Sequence, residues 1–192
     1  MSVSIQLSTA YLALGSNLGD RFAHLRAAVY AIDSLPEVDL ILPDDVACVF
    51  ETTPIGGPPG QNLYLNTVVR VRTSMSPGGL LAATQGIETA AGRVRKEHLG
   101  PRVLDIDLLL YDDLTIHDKI LTLPHPRMHE RRFVLEPLAQ LAPSVHHPIL
   151  RATISALLGR LPEVSDEVGA VVCQTDRRWC GPKHGDAARN RP

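Results

Sequence analysis

Asp105 and Asp107 are the residues whose types and spacing most plainly suit chemistry. They sit one residue apart in GPRVLDIDLLLY, residues 100–111. The run is rich in Leu, Ile and Val, and Gly100 and Pro101 punctuate its start, which predicts a buried strand. Side chains alternate faces along a strand, so both aspartates point one way, with Val103 and Leu109 flanking them. Leu104, Ile106, Leu108 and Leu110 are expected on the opposite face, in a core. Carboxylates two positions apart stand about 6–7 Å from each other along the strand. Without a counter-charge they repel and lose hydration. A divalent cation between them removes both penalties, and Mg²⁺ prefers hard oxygen ligands. The competing reading of an alternating acidic face is a solvated outer surface.

The residues just upstream bear on that choice. GRVRKEHLGPR, residues 92–102, holds Arg93, Arg95, Lys96 and Arg102 against one acid, Glu97. Alone, such a segment reads as a solvated turn. Beside a paired-carboxylate strand it suits a polyanion bridged by metal, because Mg²⁺ commonly binds through one or two carboxylates plus substrate phosphates.

The elements that must position these groups follow from periodicity. Residues 10–14 predict a short strand, GSNLGD a turn, and Asp20 a helix cap. Phe22, Leu25, Val29, Ile32 and Leu35 recur at helical spacing up to Pro36. Gly15 and Gly19 do not make a phosphate loop, since the Gly-Lys-Ser/Thr ending is missing. VACVFET predicts a second strand, PIGGPPGQ a loop, and YLNTVVRVR a third strand. Ser76-Pro77 opens a helix striped by Leu80, Thr84, Ile87 and Ala91, with Gln85 and Glu88 on an adjoining face. After the acidic strand the chain reads as irregular to Arg132. Pro137 is then expected in the first turn of a short helix carrying Leu138 and Leu141, and Thr153 as the cap of another. The order predicts an α+β fold, a ferredoxin-like βαββαβ sandwich with appended strands and helices. Residues 1–162 are expected to form the catalytic domain and 163–192, polar and breaker-rich after Pro162, a disordered tail.

Composition agrees with an ordinary soluble domain. The chain has 192 residues, 44% of them hydrophobic, and a formal net charge of −2, which argues against a basic nucleic-acid binder. No apolar run approaches the roughly 20 residues a membrane helix needs, and no secretory signal is expected from MSVSIQLSTAYLALGSN. Cys48, Cys173 and Cys180 are sparse and odd in number, which favours a reducing cytosol and gives no case for zinc. His146-His147 lacks a nearby carboxylate and is expected to be structural.

Six segments occur in a telling order: ALGSNLGDR, TTPIG at 52–56, YLN at 64–66, GRVR at 92–95, GPRVLDIDLLLY and LPHPRMHERRFVLEPL. Together they resemble the 6-hydroxymethyl-7,8-dihydropterin pyrophosphokinase family of folate biosynthesis, over residues 10–161. The resemblance implies transfer of the two terminal phosphates of ATP, as one unit, to the hydroxymethyl oxygen of the pterin, with release of AMP. It implies that Asp105 and Asp107 hold two Mg²⁺ ions and that Arg93 and Arg102 grip phosphates and stabilise transition-state charge. Arg95 and Lys96 would lie in a loop that closes over ATP and excludes water. Gln85 and Glu88 match a nucleotide-side pair. Leu108, Thr122 and His125 match positions near the adenine, ribose and phosphates, and Arg131 would face phosphate. For the pterin, Phe133 supplies an aromatic face with Ile55 and Tyr64 opposite. Asn66 offers donor and acceptor to the amide edge. Thr52 and the backbone of Thr53, Pro54, Ile55 and Gly56 complete that edge.

Three residues depart from some family members: Leu99 replaces a tryptophan, Pro126 an aromatic and Thr53 a proline. The expected partners are the two small-molecule substrates, with no nucleic acid and no membrane, acting in the cytoplasm on a monomer or weak dimer. The alternatives are another two-metal phosphoryl or nucleotidyl transferase on a ferredoxin-like fold, or a non-catalytic binding module.

Overall fold

The structure is a computed structural model that describes residues 7–40, 44–92, 99–162 and 171–174. The first strand, β1 (Ser8–Ser16), leads through GSNLGD into α1 (Arg21–Asp33). Asp20 caps α1 as the sequence predicts, its carboxylate accepting from the Ala23 N–H at 3.0 Å. A two-residue strand, β2 (Val38–Asp39), precedes β3 (Phe50–Thr52) and β4 (Tyr64–Thr73). α2 (Pro77–Ala90) starts at the expected cap: the Ser76 hydroxyl accepts from the Gly79 N–H at 3.1 Å, with Pro77 in the first turn. β5 (Asp105–Tyr111) is the acidic strand.

Four elements differ from the sequence reading. The stretch read as irregular contains a small hairpin, β6 (Ile116–His117) with β7 (Thr122–Leu123), too short to show a period, followed by a 3-10 turn at Met128–Glu130. α3 (Arg132–Leu141) begins before Pro137, which lies inside it. Proline there removes one N–H from the ladder, but Val134, Leu135 and Leu138 bury on one side and hold the helix. β3 is shorter than VACVFET, and Val46 contributes only an isolated bridge to Val69. Within 163–192, the strand β8 (Val171–Gln174) pairs with β3. A final helix, α4 (Ile154–Leu158), is capped by Thr153 as expected.

The result is a mixed α/β fold on an antiparallel sheet in the order β5-β1-β4-β3-β8, with β2 pairing β4. Two apolar layers cover it. Ala10, Leu12, Leu14, Val69, Val71, Ile106 and Leu108 pack with Leu25 and Ile32 of α1 and Leu80 of α2. On the other face Tyr11, Val68 and Leu109 pack with Val134, Leu135 and Leu138 of α3 and with α4.

β5 carries one irregularity that bears on the site. Its pairing with β1 slips between Tyr11↔Leu110 and Leu12↔Leu108, which leaves Leu109 as an extra residue. Alternation therefore holds from Asp105 to Leu108 and breaks after it. Leu110, expected in the core with Ile106 and Leu108, joins the opposite cluster instead. Among the described residues no helix is long and apolar enough to cross a membrane.

Candidate active site

Because Ile106 and Leu108 turn into the core, Asp105 and Asp107 emerge on the face of the sheet that α3 partly covers. Both line a cleft of about 260 Å³. Their side chains are 22% and 39% exposed, so they are neither a solvated outer face nor sealed in apolar packing. Arg102 pairs with Asp105 at 2.5 Å. Burial works against the Arg102 charge, but Asp105 and its hydrogen bond outweigh it and the guanidinium stays protonated. Asp107 Oδ2 lies 3.8 Å from His125 Nε2 and 3.9 Å from an Arg131 nitrogen.

His125 is held as a neutral donor. Its own N–H donates to the Leu109 carbonyl at 2.8 Å, and its Nδ1 accepts from the Arg127 N–H at 3.3 Å. The remaining ring proton is thereby assigned to Nε2, on the Asp107 side. Burial, then Arg131 and Arg127, push the His125 pKa down to about 4. Burial, then the nearby Arg127, also lower the Arg131 pKa, against the pull of Asp107 and Asp105.

The other end of the cleft is flatter and less charged. Phe133, at the first turn of α3, has the Arg131 guanidinium 5.6 Å from its ring centre, which joins the two ends. Tyr64 and Asn66 come from β4, and Thr52 from β3. The Asn66 Nδ2 donates to the buried Thr52 hydroxyl at 2.7 Å, fixing the amide plane. Burial, then the neighbouring Asp105, raise the Tyr64 pKa against the pull of Arg102, and its phenol donates to the Gly100 carbonyl at 3.4 Å. Thr53, Pro54, Ile55 and Gly56 line the same end.

Four sequence-predicted residues lie elsewhere or only behind the cleft. Leu108 is buried in the core on the far face of β5. Glu88 is 3% exposed on α2, with its carboxylate on the Ile106 N–H. Gln85 is exposed on the same helix. Thr122, half-buried in β7, is not among the lining residues. Arg93, Arg95 and Lys96 lie outside the described residues.

Sequence reasoning gave GSNLGD mostly a turn role and missed what it supports. Asn17, 0% exposed, accepts the Arg102 N–H on Oδ1 at 2.7 Å and donates its own N–H to the Arg102 carbonyl at 3.0 Å. Its Nδ2 reaches Gln61 Oε1 at 3.3 Å, and Gln61 in turn donates to the Gly56 and Leu99 carbonyls, each at 3.1 Å. Two glycines permit this closeness. A Cβ on Gly57, whose φ is +81°, would stand 2.2 Å from the Leu99 carbonyl oxygen, and one on Gly15 would stand 2.9 Å from Asn66 Oδ1. Arg127 also lines the cleft. The only signal in the sequence was a polar turn, since each partner is more than 40 residues distant from Asn17.

The arrangement can hold a cation on paired carboxylates, surround an anion with arginines and a neutral imidazole donor, and seat a flat ring against an aromatic face. It defines a mixed α/β protein with a two-part cleft, charged at one end and aromatic at the other. Residues 11–143 match the model of the family described as 7,8-dihydro-6-hydroxymethylpterin-pyrophosphokinase (HPPK), and the chain belongs to that family. It is 43% identical over 136 residues to the 2-amino-4-hydroxy-6-hydroxymethyldihydropteridine pyrophosphokinase of Bacillus subtilis, covering 71% of this chain and 79% of that one. It is 37% identical over 153 residues to the folic acid synthesis protein fol1 of Schizosaccharomyces pombe, covering 80% of this chain and 20% of that one. The fold is similar to Plasmodium falciparum HPPK-DHPS wild type with SDX-DHP, with a TM-score of 0.62, 17% identity and coverage of 80% of this chain and 44% of that one. The chain thus spans less than half of the two longer proteins.

Proposed function

We propose that the chain transfers pyrophosphate from ATP to 6-hydroxymethyl-7,8-dihydropterin, giving the pterin diphosphate and AMP in folate biosynthesis. One observation carries the reading. Asp105 and Asp107 share a single cleft with Arg102, His125 and Arg131 at one end and Phe133, Tyr64 and Asn66 at the other. The first set suits a triphosphate and the second a pterin, which supports side-by-side binding of the two.

The donor chemistry fits Mg²⁺: two carboxylates on one strand face, with phosphate oxygens as the remaining hard ligands. Among the described residues no group of three or more His, Cys, Asp or Glu gathers for a metal, so phosphate oxygens would have to complete the coordination. Two Mg²⁺ ions on Asp105 and Asp107 would neutralise the phosphates and lower the barrier to attack at the β-phosphorus. Arg102, fixed at its backbone by Asn17, and Arg131 would bear on the charge that develops in transfer. His125 would donate its Nε2 proton rather than carry charge, orienting an oxygen without adding to the arginine charge. Asn66 and Thr52 would read the amide edge of the pterin, with the backbone of residues 53–56 alongside, and Phe133 would stack on its face, opposite Tyr64 and Ile55.

Arg93, Arg95 and Lys96 take phosphate and lid roles in this reading, on the strength of the family resemblance. Gln85, Leu108 and Thr122 take nucleotide-side roles on the same ground. The element order β1-α1-β3-β4-α2-β5, with both helices over one face, supports the ferredoxin-like reading of the fold. Residues 1–162 form the catalytic unit in this account, with β8 as an added strand. Sparse cysteines support work in the reducing cytoplasm, with a monomer or weak dimer as the state this reading takes.

The test is product analysis with Mg·ATP, with and without the pterin alcohol. The proposal expects AMP formation that depends on the pterin and a diphosphorylated alcohol. Release of pyrophosphate, with the nucleotide joined to the acceptor, would identify a nucleotidyl transferase instead.

A further inference from the structure

Glu88, nucleotide-side by the family resemblance, is buried behind the cleft rather than lining it. Among the described strands β5 is at the edge of the sheet, so one row of its backbone groups has no neighbouring strand. Ile106 lies opposite Leu14 of β1, yet its N–H goes to Glu88 Oε1 at 2.7 Å, in a buried hydrogen bond. Glu88 reaches that edge from α2, which packs against β5. A carboxylate accepting a backbone N–H makes a charge-assisted bond, stronger than a neutral pair. Removing it would leave a buried donor without a partner at the edge of the strand.

The position of the bond matters more than its strength. Ile106 is the residue between Asp105 and Asp107. Its side chain anchors in the core while its N–H is held by Glu88. Three restraints therefore meet on this one residue: the β1 register, core packing and the carboxylate of α2. Because alternate side chains share a face, fixing Ile106 fixes the direction of the carboxylates on both sides of it.

We propose that Glu88 is a positioning residue for the carboxylate pair: from the edge of the sheet it fixes the stretch of β5 that aims Asp105 and Asp107 into the cleft. The inference rests on the metal-binding reading of that pair. Groups that orient metal ligands typically change metal affinity 10–100-fold when lost. A residue that contacted the nucleotide directly would weaken nucleotide binding whether or not metal were present.

The experiment titrates Mn²⁺ by electron paramagnetic resonance, with α,β-methylene-ATP as the nucleotide, in the wild-type chain, Glu88→Ala and Glu88→Gln. Glu88→Gln keeps an Oε1 acceptor for the Ile106 N–H. Glu88→Ala should weaken analogue-dependent Mn²⁺ binding about tenfold or more, and Glu88→Gln no more than about twofold. Binding of the analogue in EDTA should be alike in all three. The proposal is overturned if Glu88→Ala leaves Mn²⁺ affinity unchanged, if Glu88→Gln loses as much as Glu88→Ala, or if binding in EDTA falls in parallel. Where Glu88→Ala is too unstable to titrate, hydrogen exchange at the Ile106 amide decides. Slow exchange in both wild type and Glu88→Gln supports the grip, and fast exchange in the folded wild type overturns it. Absence of analogue-dependent Mn²⁺ binding in the wild type overturns the metal reading, and this proposal with it. Normal wild-type binding with an unaffected Glu88→Ala overturns the proposal alone.

Discussion

On one face of the sheet Leu12, Leu14, Val69, Val71, Ile106 and Leu108 meet α1 and α2 in a continuous apolar layer. On the other face the same three strands divide. Tyr11, Val68 and Leu109 pack under α3, while Gly15, Asn66, Asp105 and Asp107 line the cleft beside it. Strand alternation supplies both sets from the same three strands. What separates them is cover: helices close the first face and only part of the second. Core and cleft are thus built from neighbouring side chains on one backbone, pointing opposite ways.

Substitutions on adjacent strands should separate the two. Asp107→Ala should lower AMP formation on the order of a thousandfold, because it removes half of the carboxylate pair from a preorganised charged site. Its midpoint of urea unfolding should stay close to the wild-type value, since Asp107 lies in the cleft and not in the core. Leu12→Ala is the mirror experiment. Leu12 is fully buried under α1 and α2, and its truncation should cost about 3 kcal/mol of stability. Turnover per folded molecule should remain near wild type, measured after correcting for the folded fraction. A smaller and more local loss is expected within the cleft. Phe133→Ala should weaken pterin binding about tenfold, with little change for the ATP analogue, by fluorescence or calorimetric titration. Equal losses for the two ligands would argue that Phe133 supports the whole cleft rather than one face of a ring.

Much of this division could be read from the chain because it is local. Alternating polarity in DIDLLLY placed the acids opposite Ile106 and Leu108, and Asp20, Ser76 and Thr153 marked their helices by cap chemistry. Thirteen residues named from the family resemblance line the same cleft, from Thr52 to Phe133. What could not be read depends on partners distant in sequence. Leu110 changes face because of one extra residue at Leu109, which β1 reveals only by its register. Gly15 matters through Asn66 on the neighbouring strand, and Asn17 through Arg102 and Gln61. The helix around Pro137 is held by tertiary packing that outweighs the local penalty of proline.

The central claim is that Asp105 and Asp107 gather the metal that bridges the triphosphate to the pterin alcohol. Crystals grown with Mn²⁺, α,β-methylene-ATP and 6-hydroxymethyl-7,8-dihydropterin test it most directly through anomalous scattering. The account predicts manganese peaks within bonding distance of both carboxylates and of phosphate oxygens. Peaks that touch phosphate alone, or lie away from β5, would contradict it.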